Sequence, residues 1–173
     1  LKSKSSFLPS SASQAKPPQL LAHYDFPDDW EILLVILDSK NTVNGQKEVN
    51  IFQDYCPVPK NEVEQTSHII FMNMIPFLLE RDLPAFGHSI DEIQKRGFKN
   101  VEVSLQSQQI RDLTDKLREI GAYGVGMSSF GPTVYSVFDK NNKHIVEEIK
   151  EYVGNRGIVL TTKAQNYGHE IQK

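Results

Sequence analysis

Glycines and hydroxyl side chains are concentrated in the segment GAYGVGMSSFGPT, which runs from residue 121 to residue 133. Glycine readily adopts positive φ, which lets the backbone N–H groups around Gly126 and Gly131 turn toward a common anion. The hydroxyls of Ser128, Ser129 and Thr133 would add further donors. The segment therefore fits a phosphate-binding loop. A glycine-rich connection made only for close backbone packing explains it equally well.

Two familiar nucleotide-binding patterns do not describe this segment. It lacks the Gly-Lys-Ser/Thr ending of a P-loop, and it does not open a helix after a strand as dinucleotide-binding loops do.

Other candidate chemistry is weaker. His68 and Glu64 are four residues apart on a predicted helix, and an ordinary side-chain pair is the favoured interpretation. No HExxH motif and no Cys/His cluster occurs, so no metal site is predicted. Cys56 is interpreted as a small packed side chain. The catalytic residues stay unassigned.

Composition excludes several classes of protein. The 173 residues carry a formal net charge of -3, which argues against a surface dedicated to nucleic acid or anionic membranes. A single cysteine rules out an internal disulfide and makes a reducing, cytoplasmic setting the default. There is no apolar run of about 18 residues that could span a membrane.

The elements that must position the glycine-rich segment can be read from hydrophobic periodicity. Residues 31–37, EILLVIL, predict a buried central strand. Residues 61–81 predict a buried helix with Asn61 as N-cap and a kink at Pro76. Residues 42–60 suggest a turn, a short edge strand and an irregular crossing, and residues 98–106 suit either a strand or a loop. The other predicted elements are helices at 83–95, 108–120 and 143–153 and strands at 122–127, 133–138 and 158–162.

This order predicts an α+β fold, the ferredoxin-like split βαβ arrangement, with an antiparallel sheet and helices on one face. The expected organisation is a linker or mobile loop over residues 1–22, the domain over residues 23–163, and a polar, frayed tail over residues 164–173.

Residues 121–139, GAYGVGMSSFGPTVYSVFD, resemble the third glycine-rich motif of the galactokinase, homoserine kinase, mevalonate kinase and phosphomevalonate kinase (GHMP) superfamily. The chain is most similar there to the β-ribofuranosylaminobenzene 5'-phosphate synthase family of methanopterin biosynthesis in archaea. The matching phrases, which are spread over most of the chain, are FLPSSAS at 7–13, HYDFPDDW at 23–30, YCPVP at 55–59, EVEQTSHII at 62–70 and AFGHSIDEIQKRGFKNVE at 85–102.

The resemblance implies that phosphoribosyl pyrophosphate joins a 4-aminobenzoate or 4-hydroxybenzoate, with loss of pyrophosphate and CO2. It places Gly124, Gly126, Ser128, Ser129 and Gly131 beside the phosphates, with Thr133 as a further candidate, and it admits Mg2+ as a cofactor. The superfamily's other phosphate loop lies in an N-terminal domain that nothing in residues 1–173 matches. The chain is therefore expected to be the C-terminal part of a longer enzyme, to be inactive alone, and to be a candidate for homodimer formation.

Two alternatives stay open. One is a small-molecule kinase of the same superfamily, which would use ATP and Mg2+. The other is a non-enzymatic module that senses a metabolite, because split βαβ domains serve many unrelated functions.

Overall fold

The computed structural model describes residues 19–38, 43 and 45–168. The elements, in chain order, are β1 (Glu31–Leu37), α1 (Gly45–Tyr55), α2 (Lys60–Ile69), a π-helical turn (Ile70–Met74), α3 (Ile75–Glu80), α4 (Leu83–Gln94), α5 (Gly97–Ser104), α6 (Gln108–Glu119), β2 (Tyr123–Met127), β3 (Thr133–Phe138), α7 (His144–Val153) and β4 (Gly157–Thr162).

The four strands form one antiparallel sheet in the order β2-β3-β1-β4. The first strand thus pairs with the third and the fourth, and the second strand lies at an edge. Helix α6 leads into β2, and α7 connects β3 to β4. This is the ferredoxin-like arrangement, so the predicted α+β fold class is confirmed, although helices pack on both sheet faces and not on one as expected.

The main core lies between one sheet face and the two helices α6 and α7. Alternate residues of β1 point into it, and α6 and α7 each contribute an apolar stripe at helical spacing. Its fully buried members include Leu33, Val35, Leu113, Leu117, Val125, Val134, Phe138, Ile145 and Ile149.

The other sheet face is covered over only part of its width. A second cluster, built around Trp30, Phe86 and Val137, packs α4 and α3 over β2 and β3. On β1 and β4 the cross-strand pairs Ile36–Ile158 and Leu34–Leu160 alternate with core residues and therefore point to this second face. Ile158 and Leu160 are 56% and 48% exposed. We call Leu34, Ile36, Ile158 and Leu160 the open sheet face.

Residues 45–55 form helix α1, so the short edge strand expected within residues 42–60 is wrong. Val49 and Phe52 are three residues apart and share a side of the helix. Val49 is buried, and the ring of Phe52 stacks on Phe98 with centroids 4.5 Å apart. In the sequence, Val49 and Phe52 lie at helical spacing within VNIF, but the neighbouring Ile51 makes the same four residues resemble a short strand.

The helix expected over residues 61–81 exists without a gap from residue 60 to residue 80, but its hydrogen-bonding pattern changes midway and it is not buried. It begins at Lys60, with Pro59 rather than Asn61 at the N-cap position. A π-helical turn precedes Pro76, which has no N–H to continue the α-helical ladder. The expectation of full burial is wrong, because Phe71, Met72 and Leu79 are each about 60% exposed.

Residues 97–104 form helix α5, so both interpretations of residues 98–106, strand and loop, are wrong. The buried residue of this helix is Glu102, not an apolar side chain, and it pairs with Lys99. Phe98 and Val101 are three residues apart, as on one side of a helix, but two residues are too few to identify a helix from the sequence.

The remaining predicted helices and strands are confirmed within a residue or two. Residues 1–18 and 169–173 lie outside the described residues, so the limits of the predicted linker and tail stay predictions. The described part of the tail is held rather than frayed, because the Asn166 side-chain amide exchanges two hydrogen bonds of 2.9 Å with the backbone of Phe26.

Candidate functional site

The glycine-rich segment ends β2, turns, and begins β3, as the sequence predicts. The Ser128 amide donates to the Thr133 carbonyl at 2.9 Å, and the Gly131 amide donates to the Ser128 carbonyl at 2.9 Å. Ser129 and Gly131 have φ of 47° and 70°, a region that is costly for serine and free for glycine. The turn is therefore closed by its own backbone bonds, and two of its amides are used for that purpose.

Phe130 fixes the turn to two helices. It is only 5% exposed, and its ring contacts Phe52 of α1 and Phe98 of α5 edge-on, with centroids 6.2 and 6.0 Å apart. Edge-to-face aromatic contacts stabilise beyond the area that they bury. The three rings therefore bind α1, α5 and the turn into one unit.

Side chains from beyond the segment hold its carbonyls. Lys99 of α5 donates to the carbonyls of Met127 at 3.1 Å and Ser129 at 3.4 Å, and it pairs with Glu102 at 2.5 Å. The Gln106 amide donates to the Phe130 carbonyl at 2.9 Å. All three N–H groups of the Lys99 ammonium thus have acceptors, so Lys99 shapes the turn.

The direction of the carbonyls decides where the unused amides point. In a planar trans peptide the C=O and the following N–H point to opposite sides. Because Lys99 holds the Ser129 carbonyl, the Phe130 N–H points away from the ammonium. Among the described residues, the amides of Ser129 and Phe130 have no acceptor. The exposed hydroxyls of Ser128 and Ser129 lie on the same turn.

The two glycines of β2 have a packing role. A Cβ on Gly126 would lie 2.4 Å from Cζ of Tyr135, so its absence leaves room for that ring. A Cβ on Gly124 would lie 2.8 Å from Cδ1 of Ile90, and 3.0 Å from the Cα of Gly87. Close approach of α4 to β2 therefore requires both Gly87 and Gly124.

The six residues predicted to bind phosphate are thus contiguous but not equivalent. Ser128 and Ser129 are exposed at the turn, Gly131 and Thr133 are half-buried and complete it, and Gly124 and Gly126 are buried in β2. Phosphate binding by these residues stays a prediction. The residues that sequence reasoning missed are Lys99, Gln106 and Phe130, of which only Phe130, an aromatic among serines and glycines, carries a local signal.

The outer edge of β2 lies against α4. The Met127 amide donates to Oε1 of Gln94 at 3.1 Å, and the Asp91 carboxylate lies near the Val125 amide. Burial raises the pKa of Asp91, while the Arg118 guanidinium 3.3 Å away opposes the rise. Burial, with the Asp91 charge, also raises the pKa of Tyr135. These contacts close a sheet edge that would otherwise expose unpaired amides.

In the part of the chain that the structure describes, no group of three or more His, Cys, Asp or Glu side chains is placed to hold a metal ion. No helix over the same residues is long and apolar enough to cross a membrane.

Curated relatives match nearly the whole chain. It is 48% identical over 165 residues to the β-ribofuranosylphenol 5'-phosphate synthase of Methanothermobacter thermautotrophicus, covering 95% of this chain and 50% of the relative. The proteins of the same name from Methanocaldococcus jannaschii and Archaeoglobus fulgidus are 45% and 43% identical, over 98% and 99% of this chain and 51% and 53% of theirs. The chain therefore spans about half the length of these relatives.

Solved structures share the fold. Homoserine kinase from Cytophaga hutchinsonii superposes with a TM-score of 0.61 at 15% identity, over 82% of this chain and 44% of the kinase. Mevalonate diphosphate decarboxylase from Staphylococcus aureus superposes with a TM-score of 0.54 at 14% identity, over 78% of this chain and 43% of the decarboxylase. At these identities the likeness concerns architecture alone.

The family model described as GHMP kinases C terminal matches residues 74–158, which run from the end of the π-helical turn into β4 and include the whole turn between β2 and β3. The chain therefore carries a C-terminal domain of the GHMP kinase family.

Proposed function

We propose that this chain is the C-terminal half of a synthase that condenses phosphoribosyl pyrophosphate with 4-hydroxybenzoate and releases pyrophosphate and CO2. The observation that carries the proposal is the 43–48% identity to synthases of β-ribofuranosylphenol 5'-phosphate over nearly the whole chain. A phenol product derives from 4-hydroxybenzoate, and 4-aminobenzoate is the second acceptor to test. The reaction belongs to methanopterin biosynthesis in the cytoplasm.

The turn between β2 and β3 supports this proposal through its donors. Loss of pyrophosphate builds negative charge on the leaving oxygens, and preorganised N–H and O–H donors stabilise such charge. The unused amides of Ser129 and Phe130 and the exposed hydroxyls of Ser128 and Ser129 supply donors of that kind. The Lys99 contacts and the Phe130 ring keep the turn in shape before substrate arrives.

The open sheet face supports the proposal that a second domain packs against this one. Four apolar side chains on adjacent strands, two of them about half exposed, are unusual for a surface that faces water. The relatives are about twice as long as this chain, and the matched family model is a C-terminal one. We assign the open sheet face to the N-terminal half of the same protein, which would also complete the active site. The 173-residue chain alone would then be inactive.

Mg2+ is a candidate cofactor of the synthase. The described residues offer no carboxylate cluster that could hold it, so we derive no step through Mg2+ for this chain.

The test uses the full-length protein, phosphoribosyl pyrophosphate and 4-hydroxybenzoate labelled with 14C in the carboxyl group. We expect labelled CO2 to be released in equal amount to pyrophosphate. Replacing Ser128 and Ser129 together by alanine should lower kcat/KM for phosphoribosyl pyrophosphate by about tenfold or more, as the loss of oxyanion donors does. Ser67→Ala, on α2, is the control, because its hydroxyl only bonds the Val63 carbonyl.

Other outcomes identify the alternatives. Consumption of ATP without release of CO2 would indicate the kinase. Tight metabolite binding by the 173-residue chain, with no turnover by the full-length protein, would indicate the sensing module. Unchanged kinetics in the double serine variant would show that the turn is purely structural.

A further inference from the structure

A cavity of about 190 Å³ lies between α6 and β2, beside the turn. Its apolar lining comes from Val103, Ile110, Val125 and Met127, and its polar lining includes Gln94 and Arg111. A dry apolar cavity of about 150 Å³ in another protein accommodates benzene. The cavity is therefore larger than a bare benzene ring requires, and it leaves room for small polar substituents on a single ring.

Arg111 brings to this cavity a positive charge that forms no ion pair with any described acid. Asp115 also lines the cavity, but its carboxylate pairs with Arg118. Its guanidinium donates to Oε1 of Gln108 at 2.9 Å and to the Gln106 carbonyl at 2.5 Å, both neutral acceptors. The second arginine at the cavity, Arg118, differs because it pairs with Asp91 and Asp115. A guanidinium that is held in place but lacks a carboxylate partner suits an incoming carboxylate.

The side-chain amide of Gln94 offers the cavity a hydrogen-bond donor, its NH2 group, in a fixed direction. Its Oε1 accepts the Met127 N–H at 3.1 Å, which fixes the direction of the amide, and the residue is only 6% exposed. Its NH2 group donates to no described residue. A phenolic oxygen accepts such a hydrogen bond, whereas the nitrogen of a ring amine, whose lone pair is delocalised into the ring, accepts poorly. The cavity thus favours a 4-hydroxyl over a 4-amino substituent.

The cavity adjoins the turn directly. Gln106 and Met127 both line it, and both also touch the turn, since a Cβ on Gly131 would lie 3.1 Å from Oε1 of Gln106 and 3.1 Å from Sδ of Met127. A ring in the cavity would therefore lie next to whatever the turn binds.

We infer that this cavity binds the aromatic acid acceptor, with its carboxylate on Arg111 and its 4-hydroxyl within reach of Gln94. The inference rests on the proposed function for the identity of the acid, and it adds the place and the two residues that recognise it. Arg111 and Gln94 are binding residues in this account, and no chemical step is assigned to them.

The test compares Arg111→Gln with wild type in the full-length protein. We expect the KM for 4-hydroxybenzoate and its calorimetric Kd to rise at least tenfold, while the KM for phosphoribosyl pyrophosphate stays the same. Arg111→Lys keeps the charge but not the planar guanidinium, so its KM for 4-hydroxybenzoate should lie between those of wild type and Arg111→Gln. Lys116→Gln is the matched control, because it removes a positive charge from the same helix at a residue that pairs with Glu119. Wild type should bind 4-hydroxybenzoate more tightly than 4-aminobenzoate.

The failures of the two proposals can be told apart. An active wild type whose Arg111→Gln variant keeps the KM for 4-hydroxybenzoate would place the acceptor elsewhere and overturn this inference alone. A parallel rise in the KM for phosphoribosyl pyrophosphate would mean that Arg111 acts through the turn, which also overturns it. If wild type releases no CO2, the proposed function fails, and equal calorimetric Kd values for wild type and Arg111→Gln would then reject the cavity as well.

Discussion

Replacing Lys99 by methionine should destabilise the protein strongly, because it leaves a buried carboxylate without its partner. Glu102 is only 7% exposed and lies 2.5 Å from the Lys99 ammonium, which also bonds the carbonyls of Met127 and Ser129. Removal of one member of a buried ion pair costs about 3–5 kcal/mol, since the remaining charge stays desolvated. Lys99→Met should therefore lower the free energy of unfolding by about that amount.

Urea unfolding of the single and double variants measures this cost. Adding Glu102→Gln to Lys99→Met removes the unpaired charge and should recover more than half of the lost stability. Lys95→Met is the matched control, because Lys95 also pairs with an acid three residues away but is 61% exposed. It should cost less than about 1 kcal/mol. A Lys99→Met variant as stable as Lys95→Met, or a double variant no better than the single one, would refute the reasoning.

Two further perturbations test the surroundings of the turn. Gly87→Ala should destabilise the protein by about 1–3 kcal/mol in spite of the better helix propensity of alanine, because its Cβ would lie 2.6 Å from the Gly124 amide nitrogen. Thermal unfolding of this variant and of the exposed control His88→Ala measures the loss of stability. A stabilised Gly87→Ala variant would contradict the close approach of α4 to β2. Hydrogen bonds from Lys95 and Arg96 lower the pKa of Glu92 from 4.5 to about 2, so the stability that its carboxylate adds is present above pH 4.5 and is lost as the pH falls toward 2. Glu92→Gln should therefore reduce the fall in the free energy of unfolding between pH 4.5 and pH 2, as measured by urea unfolding at several pH values. A variant whose stability falls as steeply as that of wild type in this range would contradict this.

The sheet could be predicted from the sequence because its signals are local. Residues 31–37 form a continuous apolar run between polar segments, and the stripe of α6 at Ile110, Leu113 and Leu117 repeats at helical spacing. Glycine at residue 121 ends α6, as expected for a residue with φ of 83°. These signals alone give the element order of the ferredoxin-like fold.

The helices that hold the turn could not be predicted, because their packing depends on distant partners. On α5 the buried Glu102 carboxylate depends on its pairing with Lys99, and α1 is held by the Phe52 ring, which stacks on Phe98 of α5. For the same reason the sequence located the turn but not the residues that shape it. Lys99 lies 28 residues before Met127, whose carbonyl it holds, and nothing local links the two.

The burial predicted for residues 69–79 was wrong for a different reason. The run IIFMNMIPFLL was expected to be buried within this chain, yet Phe71, Met72 and Leu79 face outward. Hydrophobicity in a sequence reports the need for a partner surface, and that surface can lie outside the domain.

The central claim is that the turn binds a polyphosphate through the backbone amides of Ser129 and Phe130. The most direct measurement is a 15N–1H NMR titration of the full-length protein, labelled with 15N at serine and phenylalanine only, with pyrophosphate. We expect saturable shifts of the Ser129 and Phe130 amide resonances and a much smaller change for Ser128, whose amide already donates to the Thr133 carbonyl. Resonances of Ser129 and Phe130 that stay in place at saturating pyrophosphate would contradict it.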